Sequence, residues 1–91
     1  MKLTLFAVRH GNKIYEFREP LEIDIKSRYY LSCKYFNIID AAPTLDELWG
    51  SFASWINFIW IHYAICNEPM THSAIDLKEK LLNLITVRKI I

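Results

Sequence analysis

The feature that most constrains the fold of this chain is a nearly continuous apolar run at residues 52 to 65, FASWINFIWIHYAI. A segment this apolar has to be covered by a core, by a partner or by lipid. A helix that spans a membrane needs ~20 mostly apolar residues. The run is shorter, and Ser54, Asn57 and His62 interrupt it. We therefore expect a helix of a globular domain and no membrane association.

The residues on either side of the run predict where this helix begins and ends. Thr44 and Glu47 have the spacing of a capping box, in which each side chain bonds to the backbone N–H of the other residue. Pro69 cannot continue a helix. The first helix should therefore extend from about residue 45 to 66.

A second helix is predicted after the break at Pro69. Either Thr71 or Ser73 can cap it, and an apolar stripe with helical spacing extends it from about residue 72 to 86. The last residues, VRKII, fit a frayed helix end and a short final strand equally well.

Residues 2 to 40 have the alternation of strands. The segment LEIDIK at residues 21 to 26 alternates apolar and charged side chains, which is typical of a strand with one buried face. Gly11 and Asn12 indicate a hairpin turn between two earlier strands. The prediction is one α+β domain over residues 1–91. It has an antiparallel sheet of three to four N-terminal strands (about 2–40) and two C-terminal helices packed on one face.

The first helix is apolar on two faces, and one sheet can cover only one of them. At ~100° per residue, most of its apolar residues fall in one sector that should face the sheet. A second stripe lies opposite that sector and predicts an interface with a partner: Trp55, Phe58, Ile61 and Ile65. The small residues Gly50, Ser51 and Ser54 would let another backbone approach. The alternative is that the second helix covers this stripe.

No motif in the sequence commits the chain to a chemistry. His62 and Cys66 share a helix face, yet no Cys-x-x-Cys or His-x-x-x-His pair supports a metal site. Gly11 and Gly50 are too few for a phosphate-binding loop. We expect no enzyme activity, no metal and no cofactor. Cys33 and Cys66 should be free thiols, and without a signal peptide the expected location is the cytoplasm.

Basic residues near the predicted hairpin suggest a different function, the binding of nucleic acid. The candidates are Arg9, Lys13, Arg18 and Arg28, with aromatic residues among them. Basic and aromatic side chains on a sheet are what proteins that bind single strands use. However, the net charge is only +1, and acidic residues share the region. Nucleic-acid binding or regulation is therefore the alternative function.

The C-terminal part resembles a group of small prokaryotic proteins, and the order of strands followed by a capped helix resembles the HicB-like antitoxin fold. The resemblance covers about residues 21–85 and is carried by Thr44, Leu45, Glu47, Trp60, Tyr63, Ala64, Thr71, Ala74, Leu77 and Lys78. It implies an α+β fold and an antitoxin-like role. The chain differs in having a second helix where HicB-like proteins return to a strand.

The leading functional hypothesis combines these observations. We expect a non-enzymatic protein-interaction module that forms a homodimer and binds a small protein partner. Its high apolar content, 53% of residues in a chain of only 91, is more than a small monomer readily buries.

Overall fold

The computed structural model describes residues 1–26, 29–65 and 71–90. It confirms the predicted α+β class, with an antiparallel sheet and two C-terminal helices on one face of it. The strands and helices follow in this order: β1 (Lys2–His10), β2 (Lys13–Lys26), β3 (Tyr30–Cys33), β4 (Ile38–Ala41), α1 (Leu45–Ile59), a π-helical segment (Trp60–Ala64), α2 (His72–Leu84) and β5 (Ile85–Lys89).

The long strand β2 organises the sheet. It pairs with β1 on one edge, while its other edge pairs with β5 over residues 13 to 17 and with β3 over residues 24 to 26. Gly11 opens the two-residue turn between β1 and β2 with a φ of +61°, a conformation that glycine adopts without strain. The register shifts between Leu5 and Ala7, so β2 bulges around Pro20 and continues beyond it.

The C-terminal residues form a strand, which settles the choice that the sequence left open. The second helix was predicted to reach residue 86, but it ends at Leu84. Ile85 is extended, is buried and pairs with Phe17 of β2. The sheet therefore has five strands, where three to four were predicted, because burying Ile85 beside Phe17 requires the chain to leave the helix.

Both predicted helix starts are confirmed. The Thr44 hydroxyl accepts a hydrogen bond from the Glu47 backbone N–H at 3.2 Å, and the Thr71 hydroxyl accepts one from Ala74 at 3.3 Å. Thr71, rather than Ser73, is therefore the cap of α2. The first helix widens to π geometry at Trp60, and its described helical residues end at Ala64.

The core lies between the helices and the inner face of the sheet. On β2 the buried residues are Tyr15, Phe17, Leu21, Ile23 and Ile25. From α1, the Phe52 and Ile56 side chains pack against them and are fully buried. Both residues belong to the sector of the helix that was predicted to face the sheet, whereas Leu45 of the same sector is exposed. Their burial fixes which face of α1 remains outside.

Candidate interaction surface

The four predicted interface residues lie on the face of α1 and its π-helical extension that points away from the sheet. Trp55, Phe58, Ile61 and Ile65 remain 39–56% exposed with α2 in place. The helix α2 packs mainly against the π-helical segment and against strands β2 and β5. The alternative that the second helix covers this stripe therefore fails for the described part of the chain.

Three rings form a ridge along this exposed face. The Trp55 and Phe58 rings meet edge to face with centroids 5.8 Å apart, and the Phe58 and His62 rings lie 4.3 Å apart. Aromatic pairs in these arrangements hold one another in place. The side chains are therefore already ordered, so that a partner would lose little side-chain entropy on binding them.

A cleft of about 710 Å³ opens on one side of the ridge. Trp55 and Phe58 form one wall, α2 forms another, and the turn between β3 and β4 forms the third. Lys80 on α2 bridges two of these walls, because its ammonium group donates to the Tyr35 carbonyl oxygen at 3.5 Å and lies 5.7 Å from the centre of the Tyr35 ring.

A shallower groove of about 230 Å³ lies on the other side of the ridge, above Ser51 and Ser54. The space around Gly50 is also open, because a Cβ added there would meet no atom within 4 Å. The outer face of α1 thus has small residues as far as Ser54, and bulky apolar residues follow from Trp55 into the π-helical segment.

A partly buried hydrogen bond connects α1 to strand β2. The Tyr15 hydroxyl donates to Oδ1 of Asn57, and the Tyr15 ring packs edge-on against Trp60 with centroids 6.1 Å apart. Burial raises the pKa of the Tyr15 hydroxyl. Sequence reasoning missed this pair, although an asparagine within a mostly apolar run was a signal that its amide needed a polar partner.

The nucleic-acid candidates do not form one cluster. Arg9 and Lys13 lie near each other at the turn end of β1 and β2. Arg18 lies further along β2, next to the junction of α2 and β5. Its guanidinium donates to the Asn83 carbonyl and the Thr86 hydroxyl, both at 3.3 Å. Arg28 lies outside the described residues. Strand β5 instead places Lys89 opposite Lys13, and it places Arg88 opposite Ile14, whose other neighbour is Arg9.

Lys13 and Lys89 are directly opposite each other on neighbouring strands. Like charges in this position destabilise a sheet. We expect Lys89→Glu to raise the free energy of unfolding by about 0.2–1 kcal/mol, since it places a carboxylate opposite Lys13. Urea unfolding at low and at high salt measures the effect, which should shrink as salt screens the pair.

The control for this prediction is Lys26→Glu, a change of the same charge opposite the uncharged Tyr30. It should change stability little. If Lys26→Glu raised the free energy of unfolding as much as Lys89→Glu, the repulsion between Lys13 and Lys89 would not be the cause of the stabilisation.

The side chains that could bind a metal ion or act as a nucleophile are scattered over the described residues. Among them, no three His, Cys, Asp or Glu side chains come together as a potential metal site. Cys33 is buried, and desolvation raises the pKa of its thiol, which disfavours the reactive thiolate. Cys66 lies outside the described residues.

Comparisons with protein-family models, with curated proteins and with solved structures find no match to this chain. Within residues 1–26, 29–65 and 71–90, no helix has both the length and the apolar character needed to cross a membrane.

Proposed function

We propose that this protein is a non-enzymatic interaction module that pairs with a second copy of itself through the outer face of α1. The observation that carries the proposal is the division of that face into a small-residue half and a bulky half. Gly50, Ser51 and Ser54 form the first half, and Phe58 and Ile61 begin the second.

Such a face is complementary to itself when two copies cross in opposite directions. In a two-fold dimer, residue i of one copy contacts residue j of the other, and j contacts i. With the axis next to Trp55, Phe58 of each copy lies over Ser54 of the other, and Ile61 lies over Ser51. The ridge of one helix then fills the groove of its neighbour, which is how helices pack at 8–10 Å.

The exposure of the apolar side chains on this face also supports pairing with a second copy. Four large apolar side chains on one helix face are 39–56% exposed, and their contacts with water end when a second copy covers them. Aromatic residues in the centre of a patch, surrounded by smaller groups, are typical of protein interfaces. The small protein partner, the HicB-like antitoxin role and the cytoplasmic location stay predictions.

A matched pair of substitutions at Ser54 tests the packing of ridge into groove. Ser54→Ala keeps the groove open, and we expect it to leave the dimer intact. Ser54→Arg fills the groove and should raise the dissociation constant at least about fivefold, because overpacking an interface costs roughly 1–3 kcal/mol. Size-exclusion chromatography with light scattering over a range of concentrations reports the mass.

Ser54 is exposed, so neither change should disturb the fold of the monomer. Circular dichroism of both variants verifies this. If Ser54→Arg associates as strongly as Ser54→Ala, the two copies do not pack through this groove and the proposed geometry is wrong.

A further inference from the structure

The end of the sheet next to the β1–β2 turn gathers basic side chains from three strands. Register places Arg9, Ile14 and Arg88 in one row across β1, β2 and β5, and it places His10, Lys13 and Lys89 in the adjacent row. Successive residues of a strand point to opposite faces. The two rows therefore surround the sheet end with positive charge on both faces. We call Arg9, Lys13, Arg88 and Lys89 the basic corner.

The basic corner is a strong local concentration of charge on a nearly neutral chain. Four of the eleven Lys and Arg residues lie in it, and Glu16 is the one acidic residue in these strand ends. The remaining seven basic and nine acidic residues leave the rest of the chain with a formal charge of −2. Charge separated in this way attracts an anionic partner to one end of the molecule.

Local contacts hold the basic corner in place. The Arg9 Nε donates to the Gly11 carbonyl oxygen at 3.1 Å, and the Ile90 backbone N–H donates to the Asn12 carbonyl at 2.7 Å. The second bond ties the end of β5 to the turn between β1 and β2. Arg88 pairs with Glu16, whereas Arg9, Lys13 and Lys89 form no ion pair with an acidic side chain among the described residues.

The two lysines that face each other across β2 and β5 favour a ligand with more than one negative charge. Lys13 and Lys89 repel each other in the free protein, and an anion between them removes that repulsion. Adjacent strands lie ~4.8 Å apart, so the row from Arg9 to Arg88 spans roughly 10 Å between Cα atoms. A chain of phosphates can meet cations over this distance, whereas one small ion cannot reach them all.

We propose that the basic corner binds the phosphate backbone of nucleic acid without reading its sequence. The proposal does not depend on the dimer, because all of the cations come from one chain. Nucleic acid fits better than an anionic membrane, because none of the four cations of the basic corner has a Trp or Tyr as its cross-strand neighbour, and such residues anchor proteins at lipid interfaces.

The test measures the binding of a labelled DNA duplex and of a labelled single strand by fluorescence anisotropy at several salt concentrations. If the basic corner contacts three to four phosphates, a plot of the logarithm of the binding constant against the logarithm of the salt concentration should have a slope of about −3 for the duplex. Lys13→Ala/Lys89→Ala should reduce the slope by about two and weaken binding roughly tenfold to hundredfold near 0.1 M salt.

Two control variants show whether a loss of binding comes from the basic corner itself or only from the lower net charge of the protein. Lys26→Ala/Lys34→Ala removes the same charge from exposed residues distant in register from the basic corner, and it should bind like the wild type. Lys13→Arg/Lys89→Arg keeps the charge and should retain binding. Thermal unfolding of every variant shows that each is folded.

Three results would overturn the proposal. The first is no binding of the wild type to either nucleic acid at low salt, and the second is an equal loss for the two lysine-to-alanine pairs. The third is binding to phosphatidylglycerol vesicles without binding to nucleic acid, which would assign the basic corner to a membrane surface.

Discussion

Replacing Tyr15 with alanine is expected to lower the free energy of unfolding by about 3–5 kcal/mol, the usual cost of truncating a large buried aromatic side chain. The Tyr15 side chain is fully buried, packs against Trp60 and donates its hydroxyl to Asn57. The loss is a large part of the roughly 5–15 kcal/mol that stabilises a typical domain. Urea unfolding followed by tryptophan fluorescence measures it.

Tyr15→Phe separates the two roles of this side chain. It keeps the ring in the core and removes only the donor to Asn57. The free energy of unfolding should fall by about 1–3 kcal/mol, because the partly buried amide oxygen of Asn57 loses its hydrogen-bond donor. All variants are compared at one protein concentration, since dimerisation couples stability to concentration. Equal losses for Tyr15→Ala and Tyr15→Phe would show that the ring contributes nothing.

Phe58→Asp is expected to abolish self-association. The Phe58 ring is the centre of the ridge and contacts both Trp55 and His62. A central aromatic residue of an interface typically contributes about 2 kcal/mol or more, which corresponds to a dissociation constant raised roughly thirtyfold. The aspartate adds the cost of burying an unpaired charge. Sedimentation velocity over a range of concentrations measures the change.

Leu82→Asp is the matched control for this prediction. It makes the same kind of change on α2, where Leu82 is 42% exposed against 47% for Phe58. The control should dimerise like the wild type, and both variants should keep the fold of the monomer. If Phe58→Asp still forms dimers, or if both variants lose them equally, the outer face of α1 is not the interface.

Much of the fold could be predicted because it depends on local spacing. The interval between Thr44 and Glu47 fixed the start of α1, and the apolar residues at intervals of three and four revealed its two faces. The residues of the second stripe are exposed as the helical period requires. Each of these features involves residues within a few turns of one another.

The features that were missed bring together residues far apart in the chain. Ile85 leaves the helix because it is buried beside Phe17, a contact across 68 residues that no local pattern announces. The hydrogen bond from Tyr15 to Asn57 spans 42 residues. Only Arg9 and Lys13 of the basic corner were identified from the sequence, because Arg88 and Lys89 come near them through the pairing of β5 with β2.

Sedimentation equilibrium of the wild-type protein shows whether two copies pair through α1, since it gives the mass in solution without reference to shape. The chain has a mass of 10.8 kDa. We expect a mass that rises with concentration from this value to twice this value and then stays constant, as a closed two-fold dimer requires. A mass of 10.8 kDa at every concentration would show that two copies do not pair.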